Sequence, residues 1–274
     1  MKYALLAAFL YAISSPFSKL LLNHISPTMM ASCLYLGAGI GLFILNKIKK
    51  TEEEKLEKKD MPYVIGMVVL DIIAPILLMI GLTLTTSSNA ALLNNFEIVA
   101  TTVIAYFIFK EKISKNLLIG IILVLISSII LTFDITSLKF NIGSILVLLA
   151  AISWGFENNC TKMISNKNPV DIVIIKGLFS GLGSLIVSIV INEVTINPYI
   201  IYALILGFFS YGLSITTYIY AQRHLGASKT SAFYAINPFI GSILSLIIFA
   251  EIPNINFIIA ILIMSIATYF IIKE

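Results

Sequence analysis

Four ionisable residues, Asp71, Glu97, Glu157 and Lys176, stand deep inside apolar stretches of the chain. A charge in such a stretch costs about 2.5–3.5 kcal/mol on insertion scales unless it faces protein or trapped water. Groups so placed can hold a charged solute, or they can take up and release protons, because two carboxylates close together in a low dielectric compete for one proton. Neither role needs a covalent step, and no catalytic residue is assigned. Asp71 and Glu97 fall halfway along their apolar runs. Glu157 lies near the end of its run and Lys176 near the start of the next, so at about 1.5 Å of rise per residue the two reach comparable depth and are placed to pair. That pair is either purely structural, completed by hydrogen bonds from Asn158 and Asn159, or part of a substrate site. Glu97 has no complementary charge at its depth unless Lys176 reaches it, and Asp71 adds only negative charge.

A polar and aromatic lining surrounds these charges. Asn94 and Thr101 share the helix face of Glu97 at spacings of three and four residues, and Trp154, Asn158 and Thr161 are near Glu157. Later in the chain Tyr211, Ser214, Tyr218, Tyr234 and Asn237 supply hydroxyl and amide groups. Pro238, Pro16 and Pro75 each remove a backbone donor and loosen a helix, and interrupted helices near the bilayer midplane point to a transporter site. The expected substrate-binding set is Glu97, Glu157, Lys176, Asn94, Asn158, Trp154, Tyr211 and Tyr234, with Glu97, Glu157 and Asp71 as coupling groups. Tyr3, Tyr199, Tyr202 and Tyr269 lie near span ends and read as interfacial anchors.

The elements that must position these residues are membrane helices. The chain is 59% hydrophobic and only 12% charged, with a mean hydropathy of +1.01, a composition that cannot cover a water-soluble surface. Apolar runs long enough to cross about 30 Å of hydrocarbon occupy roughly 3–22, 28–46, 62–82, 86–108, 114–133, 141–162, 169–191, 198–221, 227–249 and 254–272. They lack two-residue alternation, so they are helices rather than barrel strands. All lysines and arginines except Lys19, Lys139, Lys176 and Lys229 fall in loops or ends on one side. By the positive-inside rule both termini are expected in the cytoplasm.

The chain also repeats itself. Phe109-Lys110-Glu111 recurs as Phe249-Ala250-Glu251 about 140 residues later, and Ala12-Ile13-Ser14 recurs as Ala151-Ile152-Ser153. The expected architecture is all-α, with ten transmembrane helices as a 5+5 repeat over residues 1–135 and 141–274. An odd number of spans per half makes the halves inverted.

Other features have plainer readings. The stretch from Met1 to Ser15 has the look of a signal peptide, but its counterpart near 143–153 is mid-chain, so it is read as a retained helix. The mixed-charge run from Lys47 to Asp60 reads as a solvated cytoplasmic linker. Cys33, Cys160, His24 and His224 show no metal-ligand spacing, and no cofactor or metal is expected. Gly37-x-x-x-Gly41 and Gly177-x-x-x-Gly181 allow close helix packing. The net charge of +4 follows from orientation and needs no nucleic-acid partner.

Several stretches carry a family resemblance. They are Leu92-Leu93-Asn94-Asn95-Phe96-Glu97, the run from Trp154 to Lys162, Lys176-Gly177-Leu178, Tyr211-Gly212-Leu213-Ser214, and Leu225-Gly226-Ala227-Ser228 running on to Gly241. In these the chain resembles the EamA-type branch of the drug/metabolite transporter superfamily over nearly its whole length. The resemblance implies a central cavity lined by both halves and movement of small organic solutes, amino acids and other metabolites among them, by alternating access, often as export. The chain is expected to be a multi-pass protein of the cell membrane that moves an amino acid or amine, its partners a small-molecule substrate and the bilayer, acting as a monomer or weak homodimer. Glu157 departs from the Asp usual at that position, and Asp71 stands where a small residue is expected. The competing classes are a channel or accessory membrane subunit and a membrane-embedded enzyme. The latter lacks any His-Glu-x-x-His or Gly-x-Gly-Asp constellation, and no phosphate-cradling loop suggests an ATP-driven pump.

Overall fold

The computed structural model describes residues 2–48, 56–110, 113–134, 139–225 and 234–273. Lys49, Lys50, Lys55, Glu111, Lys112, Lys229 and the stretch from Gly226 to Phe233, on which parts of the sequence reading rest, lie outside them.

In a bilayer every backbone polar group must be satisfied within its own segment, and helices do this. The elements are α1 (Lys2–Ala12), α2 (Ser14–Leu21), α3 (Pro27–Ile48), a 3-10 turn (Lys58–Asp60), α4 (Met61–Leu84), α5 (Ser87–Leu93), α6 (Phe96–Phe109) and α7 (Lys115–Thr132). After a two-residue antiparallel pair, β1 (Phe133–Asp134) with β2 (Lys139–Phe140), come α8 (Ile142–Met163), α9 (Pro169–Val190), α10 (Tyr199–Gly207), α11 (Ser214–Leu225), α12 (Asn237–Phe249) and α13 (Ile255–Ile272). Among the described residues nine helical segments are long and apolar enough to cross a membrane, and Asn237–Phe249 is a shorter apolar helix. Large side chains such as Phe107, Val190, Ile247 and Leu262 point outward, as lipid-facing residues do.

Among the described residues three membrane segments are interrupted, two of them at a local feature of the sequence. α1 and α2 part at Ile13, three residues before Pro16. α5 and α6 part at Asn94–Asn95, where two short amides replace apolar side chains. Between α10 and α11 the chain widens into a π-helical turn (Phe208–Leu213), a device frequent at functional sites. By contrast, Pro75 is absorbed inside a continuous α4; the expected loosening there does not break the helix.

Corresponding positions of the two halves fold alike. Lys110 and Ala250 both end their helices in the left-handed conformation, with φ of 55° and 48°. Ser114 and Asn254 both cap the following helix, accepting a hydrogen bond from the amide three residues on, at 3.1 and 2.8 Å. Packing follows the same exchange: α3 lies on α9, α7 on α13, α5 on α12, and α4 on α8 as α1 lies on α11. The α3–α9 contact is backbone on backbone. A Cβ on Gly39 would lie 2.6 Å from the amide nitrogen of Leu178, and one on Gly177 would overlap the backbone of Gly39. The small-residue motifs therefore serve packing inside the bundle.

Candidate functional site

The four buried charges do not form one simple pair. Lys176 on α9 reaches Glu157 Oε1 on α8 at 2.8 Å and Asp71 Oδ2 on α4 at 3.2 Å. The three side chains are almost sealed from solvent, Asp71 at 0%, Glu157 at 1% and Lys176 at 5% exposure. Tyr35 on α3 donates its hydroxyl to Asp71 Oδ1 at 2.7 Å, and Thr161 donates to Glu157 Oε1 from one turn below. Trp154 Nε1 donates to the Tyr35 hydroxyl at 3.4 Å. Asp71 is thus more than added negative charge: it is the second partner of Lys176, and it ties the first half to the second. An ion cluster so buried is tolerated only when geometry and extra hydrogen bonds offset the desolvation of each charge, and here both carboxylates have such support.

Glu97 stands apart from this cluster. It is half-buried, and its Oε1 accepts a hydrogen bond from Asn158 Nδ2 at 2.6 Å. Asn158 also meets Thr101 Oγ1 at 3.3 Å, so the amide expected near Glu157 serves Glu97 instead. The adjacent Asn159 holds the carbonyl oxygens of Thr101 and Gly155 at 3.1 and 2.8 Å. Gly155 permits this approach, because a Cβ there would lie 2.5 Å from that of Ala100 on α6. The question of a charge partner for Glu97 has a direct answer, since Lys176 is occupied by two other carboxylates.

A row of tyrosines connects the ion cluster to the helix breaks. Ring centroids run from Tyr35 to Tyr211 at 5.1 Å, Tyr211 to Tyr11 at 5.8 Å, Tyr11 to Tyr234 at 5.8 Å and Tyr234 to Tyr218 at 4.8 Å. Tyr11, Tyr211 and Tyr234 all lie within electrostatic reach of Glu97. Beside Tyr11 runs a narrow cleft of about 160 Å³ of empty space, lined also by Ser15, Asn94, Asn237 and Pro238. It sits where α1/α2 and α5/α6 are interrupted and α12 begins. Asn94 Oδ1 is buried there without a hydrogen-bond partner. Of the expected site residues, the structure gathers Glu157, Lys176 and Trp154 around Asp71; Asn94 lines the cleft, Asn158 meets Glu97, and Tyr211 and Tyr234 flank Tyr11 in the row of rings. Tyr11 and Tyr35 were missed by sequence reasoning. Their only signal was a hydroxyl-bearing ring in mid-span rather than at a span end.

Outside the cluster, two charges clasp the turn between α4 and α5. Lys19 donates to the carbonyl oxygens of Leu82 and, at 2.8 Å, of Thr85. Glu251 accepts from Ser88 Oγ and, at 3.3 Å, from the Ser87 amide. Each charge complements the helix terminus it faces.

A multi-span helical bundle with a buried charge cluster and a polar cleft at broken helices defines a membrane protein of the transporter class. The profile of the EamA-like transporter family matches residues 1–133 and 141–273, and the chain belongs to that family. It is 29% identical over 268 residues to an uncharacterized transporter of Methanothermobacter thermautotrophicus, covering 89% of this chain and 78% of that one. To an uncharacterized transporter of Clostridium kluyveri it is 26% identical over 275 residues, covering 94% and 88%. A solved crystal structure superposes with a TM-score of 0.70 at 13% identity over 98% of this chain and 96% of that one, a likeness of fold alone.

Proposed function

We propose that this protein is a secondary active transporter that moves a small nitrogenous metabolite, an amino acid or amine, across the cytoplasmic membrane by alternating access. Residues 1–135 and 141–274 form inverted repeats with both termini in the cytoplasm, and net movement is outward. What carries this reading is Glu97, a half-buried carboxylate with an amide but, among the described residues, no cation beside it, one turn beyond Asn94 in the wall of a cleft at interrupted helices. Such a group binds either the solute's charge or a proton, and alternation between the two couples their movements. Asn94, Asn158, Tyr211 and Tyr234 orient the solute, while Asp71 and Glu157 are coupling groups held by Lys176.

Saturable counterflow in proteoliposomes separates a carrier from a channel or scaffold. Glu97→Gln and Glu157→Gln are expected to lower its rate and alter its pH dependence; wild-type rates with unchanged pH dependence in both would remove the site assignment. A second reading for Lys176 is supported by its two contacts at 2.8 and 3.2 Å. In it the ammonium is a fixed counter-ion and not a substrate ligand.

A further inference from the structure

We propose that the solute bound at this cleft is a small organic cation that carries N–H groups and lacks a carboxylate, that is, a primary or secondary alkylammonium ion. The proposal rests on the carrier reading above and narrows its substrate class. Three independent features lead to it.

Charge comes first. Among the described residues the interior holds three carboxylates, Asp71, Glu97 and Glu157, against one ammonium, Lys176, which already contacts two of them. Among them, too, no lysine or arginine lines the cleft; Lys19 is directed to the carbonyls of Leu82 and Thr85, and Lys167 to Glu57. A solute carboxylate entering here would find no unpaired cation among the described residues and would be repelled by Glu97. An ammonium would meet Glu97 as its counter-charge, in an environment where opposite charges attract strongly.

Donor and acceptor balance comes second. Asn94 Oδ1 is an acceptor on a residue only 7% exposed, without a partner, in the wall of the cleft. It lies one helical turn before Glu97, which accepts from Asn158 through Oε1. A buried acceptor left unmade is costly, so the complementary ligand brings N–H donors. A quaternary ammonium has none.

Third, one wall is a tyrosine ring. Tyr11 lines the cleft, with the ring of Tyr234 5.8 Å from it between centroids, and such faces suit a cation through their quadrupoles and its alkyl part through burial.

The test uses the full-length protein in proteoliposomes and a matched series: n-butylamine, 4-aminobutyrate, which adds a carboxylate, and trimethylbutylammonium, which removes the N–H donors. A wider panel of α-amino acids and organic anions accompanies it. Saturable counterflow of butylamine is expected, with half-saturation at least about tenfold lower than for either analogue. Glu97→Gln is expected to raise the butylamine half-saturation about tenfold or more, whereas Glu97→Asp, which keeps the charge, preserves the order of preference. Transport of 4-aminobutyrate or an α-amino acid as good as that of butylamine would overturn the inference while leaving the carrier intact. Equal transport of trimethylbutylammonium would overturn the donor argument and with it the proposal. Saturable counterflow by none of the panel would overturn both this inference and the carrier reading.

Discussion

Replacing Lys176 by Met removes the ammonium from the centre of the ion cluster and keeps most of the side-chain length. Asp71 Oδ2 and Glu157 Oε1 both lie within 3.2 Å of one nitrogen, so they are at most about 6 Å from each other. Without the ammonium their repulsion at an effective dielectric of about 20 is about 3 kcal/mol. Removing one partner from a buried ion pair costs about 3–5 kcal/mol in general, which agrees. Lys176→Met is therefore expected to lose about 3–5 kcal/mol in equilibrium unfolding with SDS in mixed micelles at neutral pH. The double variant Lys176→Met/Glu157→Gln removes one of the two repelling charges and is expected to recover about 2–3 kcal/mol of that loss. A single-variant loss below about 1 kcal/mol, or a double variant no more stable than the single, would refute the reasoning. The same Lys176→Met protein also tests the role of the group: unchanged half-saturation for solute at reduced stability favours a counter-ion over a ligand.

Three further outcomes are expected. At the start of α4, Lys167 at 2.8 Å and Lys59 at 3.0 Å hold the Glu57 carboxyl down at about 2; because the folded value is depressed, its stabilising effect is complete above the unfolded value of about 4.3 and disappears as pH falls to about 2. Unfolding curves of wild type and Glu57→Gln should differ at pH 7 and converge over that window; a constant gap would contradict the contact. Gly155→Val forces α8 away from α6, since even a Cβ would lie 2.9 Å from the amide nitrogen of Thr101; a loss of about 1–3 kcal/mol with impaired counterflow is expected, and full activity would show that the Asn158–Glu97 contact is dispensable. Ser88→Ala and Glu251→Ala should be non-additive, with a coupling of about 0.5–3 kcal/mol in a double-mutant cycle; additivity would dissolve the clasp at α5.

Much of the scaffold was legible because membrane helices announce themselves by length and hydropathy, and because matched positions fold alike: Lys110 and Ala250 adopt the same left-handed cap. The pairing of Lys176 with Glu157 could be read from depth alone. Its second partner could not, since Asp71 approaches through the crossing of α4 with α9, which no spacing within a helix reveals. Asn158 was assigned to the wrong carboxylate for a similar reason. It is adjacent to Glu157 in the chain, but neighbours on a helix diverge by about 100°, and its side chain turns to α6 and Glu97. The π-helical turn that carries Tyr211 had no signal at all in composition.

The contrast between packing and chemistry explains why the charges need not repeat. α4 lies on α8 as α1 lies on α11, yet the first interface carries Asp71 and Glu157 while the second is joined by Ser214 donating to the carbonyl of Ala7 at 2.9 Å. A second ion cluster would require desolvating three more charges, for which the bilayer offers no compensation. A single solute site needs only one charged flank, provided that both halves reach it. They do so through Tyr35, which donates to Asp71 at 2.7 Å and packs its ring 5.1 Å from that of Tyr211. At the offset of about 140 residues that relates Phe109-Lys110-Glu111 to Phe249-Ala250-Glu251, Asp71 corresponds to Tyr211. Exchange of the halves thus brings a carboxylate and a phenol, rather than two carboxylates, to the same ring, and the cluster is spared a third buried carboxylate around its one lysine.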